Sequence, residues 1–169
     1  MKEVFMMDFR RLRGYGWQSS FLDNLMILIS RKIRYVYFFV MVFLWLNKKC
    51  HKKMTNDALL SILAALVTNR IIKLFYFRPR PFVNRRIGIL IPSKTDSSFP
   101  SKHTLLVFAL SSSIYFYKRI LGSFLLGLSL LTGVSRVWVG SHYPSDIFGS
   151  GMIGFFIGLM LHKRSGTHS

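Results

Sequence analysis

Acidic residues are scarce in this chain: 6 Asp and Glu stand against 24 Lys and Arg over 169 residues, a formal charge of +18. Taken alone, a pI near 10.8 suggests a nucleic-acid binder, because clustered cations are the electrostatic footprint of phosphate recognition. Apolar residues are not scarce, and their abundance argues against that reading. Hydrophobic residues make up 51% and aromatics 15%, with a mean hydropathy of +0.35. A soluble basic protein keeps its apolar residues to what one core can bury. The composition is that of a membrane protein, and the partner of its cations need not be a nucleic acid.

Cysteine is rarer still. Cys50 stands alone between Lys48 and Lys53, so no internal disulfide can form and nothing follows about redox compartment. No signal peptide is apparent, since the first twenty residues have a broken apolar pattern and no small-residue cleavage site; insertion is expected to depend on internal segments. Internal repeats and low-complexity segments are absent, and 169 residues leave room for one domain, spanning residues 1–169.

Uninterrupted apolar runs of full membrane length are also missing. Residues 35–46, 58–67 with an extension to 77, 104–117, 120–134 and 147–161 are apolar on all faces but fall short of the ~20 residues of an ideal span. Flanking residues that snorkel or lie at the interface can lengthen each of them. The expected fold is an all-α integral membrane protein with five crossings, its helical bundle over residues 34–163 and a cytoplasmic tail at 164–169. Residues 1–33 read as an N-terminal interfacial segment, in which Phe21, Leu22, Leu25, Met26, Leu28 and Ile29 form an apolar face broken by Asp23 and Asn24. A sixth crossing there is the alternative.

With five crossings, Lys48, Lys49, Lys52, Lys53, Lys118, Arg119, Lys163 and Arg164 fall on one side with no acid among them, and the positive-inside rule makes that side cytoplasmic. The opposite side receives the polar loop 78–102, with Arg78, Arg80, Arg85, Arg86, Lys94 and Lys102, cations that a functional anion site would explain. Arg10, Arg11 and Arg13 have no such explanation.

Three polar clusters interrupt the apolar chain on that second side: 73–81 (KLFYFRPRP), 99–103 (FPSKH) and 135–146 (SRVWVGSHYPSD). Ionisable groups at the ends of membrane helices are costly and usually functional. Lys73, Arg80 and Arg136 can together neutralise a phosphate dianion, Arg by bidentate forks and Lys as a point charge; a single one of them could equally be a snorkelling interfacial residue. Ser101 reads as the N-cap of a helix whose first amides, of Lys102 and His103, can receive an anion. His103 beside a bound phosphate can protonate a departing oxygen. His142 and Asp146 are four apart across Pro144, a spacing that lets the carboxylate receive the imidazole Nδ1–H and leaves Nε2 free as a nucleophile. Standing alone, that pair could be purely structural. A metal site on His103, His142 and Asp146 lacks a further ligand and sits among repelling cations. A serine hydrolase using Ser101 or Ser141 lacks a G-x-S-x-G elbow and leaves the cations unexplained.

The blocks Lys73-(six residues)-Arg80-Pro81, Pro100-Ser101-Lys102-His103 and Ser135-Arg136-(five residues)-His142-(three residues)-Asp146 resemble the three-part signature of the type 2 phosphatidic acid phosphatase (PAP2) superfamily. The surrounding text is similar to the bacitracin-resistance type of undecaprenyl-diphosphatase. That resemblance implies a helical core like that of PAP2 enzymes and vanadium haloperoxidases, with its site at the outer face of a bacterial plasma membrane. It implies His142 as nucleophile, Asp146 as its orienting partner and His103 as general acid. Lys73, Arg80, Ser101 and Arg136 would hold the phosphate, with no metal and no cofactor. Lys102 stands where the second block commonly has Gly, so a side chain reaches the mouth of the site; with Arg78, Arg85 and Arg86 it fits a substrate bearing a diphosphate. The expected function is hydrolysis of undecaprenyl diphosphate to the monophosphate through a phosphohistidine, recycling the cell-wall carrier lipid and giving bacitracin tolerance. The expected partners are a polyprenyl diphosphate and the lipid bilayer, with no nucleic acid. The alternatives are a phosphatase for phosphatidate or phosphatidylglycerol phosphate, and a non-catalytic basic protein that binds anionic lipid.

Overall fold

Each apolar stretch lies within one helix, except that residues 76–77 of the second fall beyond the end of its helix at Phe75. The computed structural model describes residues 20–46, 52–81, 83 and 96–166. They build five long helices, α1 (Ser20–Leu46), α2 (Lys52–Phe75), α3 (Lys102–Tyr117), α4 (Arg119–Trp138) and α5 (Pro144–Gly166), with no strand among the described residues. By length and composition α2, α4 and α5 are apolar enough to cross a membrane. Arg10, Arg11, Arg13, Lys48, Lys49, Cys50, Arg85, Arg86 and Lys94 lie outside the described residues.

Of the expected N-terminal segment, residues 1–19 lie outside the described residues, and residues 20–33 run without a break into the first apolar stretch as one helix of 27 residues. Polar contacts along α4 account for this. Asp23, the residue that breaks the apolar face, accepts a hydrogen bond from Trp138 Nε1 at 2.8 Å, and the Tyr37 hydroxyl donates to the Leu125 carbonyl at 2.7 Å. The helix is thereby tied to α4 at two levels. At the other terminus α5 continues to Gly166, through the start of the expected tail.

At 16 residues, α3 is roughly 24 Å long, less than the ~30 Å hydrocarbon core. It is nonetheless the centre of the bundle, packed by α2, α4 and α5, with Leu105, Ala109, Leu110 and Ile114 buried. Small residues on α5 let it approach closely: a Cβ on Gly154 would stand 2.6 Å from the Leu105 carbonyl oxygen, and one on Gly158 2.9 Å from that of Ala109. In contrast, α1 packs chiefly on α4 and barely touches α2. The gap between α1, α2 and α3 is an apolar groove of about 510 Å³, with Met41, Trp45, Leu59 and Leu110 among its walls. The up-and-down path brings the C-terminal ends of α2 and α4 and the N-terminal ends of α3 and α5 to one end of the bundle.

Candidate active site

Chain reversals at that end deliver the polar clusters. After Trp138 the chain closes α4 with Gly140 at φ 78°, the Ser141 amide bonding back to the Arg136 carbonyl at 3.1 Å and the Gly140 amide to that of Val137 at 2.9 Å. This paired motif needs a left-handed residue, which Gly supplies without a Cβ penalty. It turns the chain sharply enough for His142 to face segment 96–101. Pro144 then opens α5, and Asp146, in its first turn, reaches back to the Tyr143 amide at 3.2 Å, a reciprocal cap that also sets a negative charge at a helix N-terminus.

Segment 96–101 is strapped to segment 76–80. The Ser98 amide donates to the Arg78 carbonyl at 2.8 Å, the Arg78 amide to Ser97 Oγ at 3.2 Å, and the Ser97 hydroxyl to the Tyr76 carbonyl at 3.2 Å. Asn69 of α2 donates to the Pro100 carbonyl at 3.2 Å, and Ser150 of α5 receives the Ser101 amide at 2.8 Å. The entry to α3 is thus fixed by both neighbouring helices. Ser101 occupies the N-cap position as expected, but its hydroxyl pairs with Thr104 Oγ1 at 3.0 Å rather than with a first-turn amide. No side chain of Ser101 therefore competes with an anion for that end of the helix.

The three blocks converge on one cavity of about 1080 Å³, whose polar wall includes Lys73, Arg80, Lys102, His103, Arg136 and His142. Lys102 is exposed at the rim. His142 is buried and its Nδ1 lies 2.7 Å from the Ser98 carbonyl, so that nitrogen carries the proton and Nε2 is the one left for chemistry. Burial, helped by the charge of Arg80, pushes the His142 pKa down to about 3, against the opposing pull of the Ser98 bond. The ring is neutral at physiological pH, the state a nucleophile needs. The Nε of Arg136 is buried with no hydrogen-bond partner among the described residues, an unusual cost that an anionic ligand would remove.

Two expected relationships are corrected. Asp146 does not receive the His142 Nδ1–H. Its carboxylate is fully buried and already held by the Arg78 guanidinium, the Ser98 hydroxyl and the Tyr143 amide. Asp146 therefore positions His142 through Ser98, whose hydroxyl it accepts and whose carbonyl orients the imidazole. Arg78, read from the sequence as a spare cation for a second phosphate, is committed to Asp146 and Ser145, with its guanidinium 4.3 Å from the centre of the Tyr143 ring.

Lys73 and Arg80 meet a residue that sequence reasoning missed. Asp96 accepts from Lys73 Nζ at 2.7 Å and from Arg80 Nη2 at 2.6 Å, while its backbone carbonyl takes Arg80 Nε at 3.2 Å. Burial works against its ionisation, but the Lys73 hydrogen bond and the Arg80 charge prevail and hold the carboxyl below its usual range. An anion already bridges the two cations. Ser98 and Asp96 could have been found as the polar residues nearest the second block; Arg34 of α1, which also lines the cavity, offered no such signal. No three His, Cys, Asp or Glu side chains among the described residues are grouped to hold a metal ion.

Comparison with known proteins follows the same residues. The sequence family described as the PAP2 superfamily matches residues 54–168. An undecaprenyl-diphosphatase, BcrC, of Bacillus subtilis is 38% identical over 93% of this chain and 82% of its own length. An undecaprenyl-diphosphatase of Sulfolobus acidocaldarius is 29% identical over 92% of this chain and 76% of its own. Among solved structures, Aquifex aeolicus LpxE superimposes with a TM-score of 0.76 at 25% identity, covering 88% of this chain and 89% of that one. A phosphatidylglycerolphosphate phosphatase of Bacillus subtilis, with a TM-score of 0.74 at 17% identity over 90% of this chain and 81% of that one, shares the fold.

Proposed function

The chain belongs to the PAP2 superfamily, and from that premise we propose that it is a membrane phosphatase converting undecaprenyl diphosphate to undecaprenyl phosphate and inorganic phosphate. The observation that carries the reading is the convergence of His142, His103, Lys73, Arg80 and Arg136 on one cavity at the end of a helical bundle. Lys73, Arg80, Arg136 and the first-turn amides of α3 hold the terminal phosphate. His142 Nε2 attacks its phosphorus while the bond to the bridging oxygen breaks, and His103 gives that oxygen a proton. The lipid monophosphate leaves. Water, deprotonated by His103, then attacks the phosphohistidine, and inorganic phosphate departs with the His142 lone pair restored. Asp146 and Ser98 keep Nε2 aimed throughout.

Charge at the two ends supports an orientation. Lys52, Lys53, Lys118, Arg119, Lys163 and Arg164 lie at the end away from the site, so the positive-inside rule puts that end in the cytoplasm and the site at the external face of a bacterial plasma membrane. There the enzyme would recycle the carrier lipid of cell-wall synthesis and compete with bacitracin for it. Phosphate release by purified protein from undecaprenyl diphosphate, phosphatidate and phosphatidylglycerol phosphate tests the reading. Preference for the diphosphate, lost in His142→Ala by at least about a thousandfold, is expected. Preference for a monophosphate ester would assign the site to another lipid phosphate, and full activity of His142→Ala would remove the nucleophile.

A further inference from the structure

The polar cavity and the apolar groove meet, and two residues line both: His103 of α3 and Arg34 of α1. Arg34 belongs to none of the three sequence blocks and lies outside residues 54–168, the part of the chain that matches the superfamily. Lys73 and Arg80 share Asp96 and Arg78 holds Asp146, whereas Arg34, like Arg136, pairs with no carboxylate among the described residues; its guanidinium lies 5.2 Å from the centre of the Tyr35 ring. Its side chain is exposed, one turn before Phe38, where the apolar wall of the groove begins. Arg34 is a cation set where a charged chamber gives way to a hydrocarbon one.

A lipid diphosphate has its groups in a fixed order: terminal phosphate, bridging oxygen, proximal phosphate, hydrocarbon chain. The site offers the matching kinds of group: His142, Lys73, Arg80 and Arg136 line the polar cavity, His103 and Arg34 line both it and the groove, and the groove between α1, α2 and α3 is apolar. We propose that Arg34 binds the proximal phosphate of the lipid diphosphate and directs its isoprenoid chain into the groove, so that α1 sets the preference for diphosphates over monophosphates. A phosphate monoester offers Arg34 no charge, because the atom beyond its scissile oxygen is carbon. This inference rests on the proposed polyprenyl-diphosphatase reading and adds to it the element that selects the substrate.

The test compares the full-length wild type with Arg34→Gln and Arg34→Lys in detergent micelles, measuring kcat/KM on farnesyl diphosphate and on phosphatidate. For Arg34→Gln the expected loss is about 100-fold on the diphosphate, with the monophosphate within about threefold of wild type. Arg34→Lys should recover part of the loss, because a point charge replaces the fork. Equal losses on both lipids, or none on either, would overturn the role of Arg34 while leaving the parent reading intact. A wild type that hydrolyses the monophosphate but not the diphosphate would overturn both. Should Arg34→Gln fold poorly, Arg34→Lys alone still decides, since a lost fold lowers both activities equally and a lost phosphate contact lowers one.

Discussion

Two carboxylates hold arginines at this site, and they do so in opposite ways. Asp146 is fully buried and its oxygens are taken by Arg78, Ser98 and the Tyr143 amide; the Asp96 side chain is 45% exposed and bridges Lys73 and Arg80. Breaking a buried, hydrogen-bonded pair strands a charge in low dielectric, whereas an exposed pair exchanges readily with water and ions. The first grip belongs to the frame that aims His142. The second occupies the place that a phosphate is expected to take, and it can be released.

That contrast predicts unequal consequences. Arg78→Ala strands the Asp146 carboxylate and should cost about 3 kcal/mol or more of stability, with a fall in kcat of at least about tenfold as Ser98 and His142 lose their support. Thermal unfolding in detergent and phosphate release measure the two effects. If Arg78→Ala were as stable as the wild type, the distinction between the two grips would be lost.

The neutral state of buried His142 gives the next effect. Its pKa of about 3 lies below the ordinary 6.5, so between those values the unfolded chain binds more protons than the native one. Stability therefore rises with pH across that window and falls as the solution is acidified. Between pH 7 and pH 5 the loss from this group is about 2 kcal/mol, and His142→Asn should abolish that part of the pH dependence. Equal slopes of Tm against pH in the two proteins would contradict a buried neutral imidazole.

Gly140→Ala places a Cβ on a residue with φ 78° and should cost about 1 kcal/mol. Its activity should fall further than its stability, because the turn aims His142. The smallest change in stability is expected for Asp96→Asn, within about 0.5 kcal/mol of wild type. Freed of a competing carboxylate, Lys73 and Arg80 should bind inorganic phosphate several-fold more tightly, seen as a lower product-inhibition constant. Unchanged inhibition would mean that Asp96 does not share the phosphate position.

Much of this arrangement was legible in the sequence, for physical reasons that also mark where legibility ended. Apolar runs betray membrane helices because lipid must be met on every face, so the cores of α2, α4 and α5 could be read directly. The N-terminal half of α1 could not, because Asp23 breaks its apolar face and the partner that satisfies it, Trp138, is 115 residues away. The three blocks suggested a phosphate site because clustered cations and histidines are costly at membrane helix ends, and the structure brings the three blocks to one cavity. Spacing alone suggested a direct His142–Asp146 bond; the competing claims of Arg78, Ser98 and the Tyr143 amide on the carboxylate are tertiary and leave no local trace. Arg34 was hidden for the same reason, since nothing in its neighbourhood along the chain says that α1 closes the cavity.

The most direct test is a rapid-quench reaction with undecaprenyl diphosphate carrying 32P in its terminal phosphate. Transient, acid-labile and base-stable label on the peptide that contains His142, absent from His142→Ala, is the expected result. Turnover of the diphosphate without label on His142, or label that persists in the variant, would contradict the phosphohistidine route.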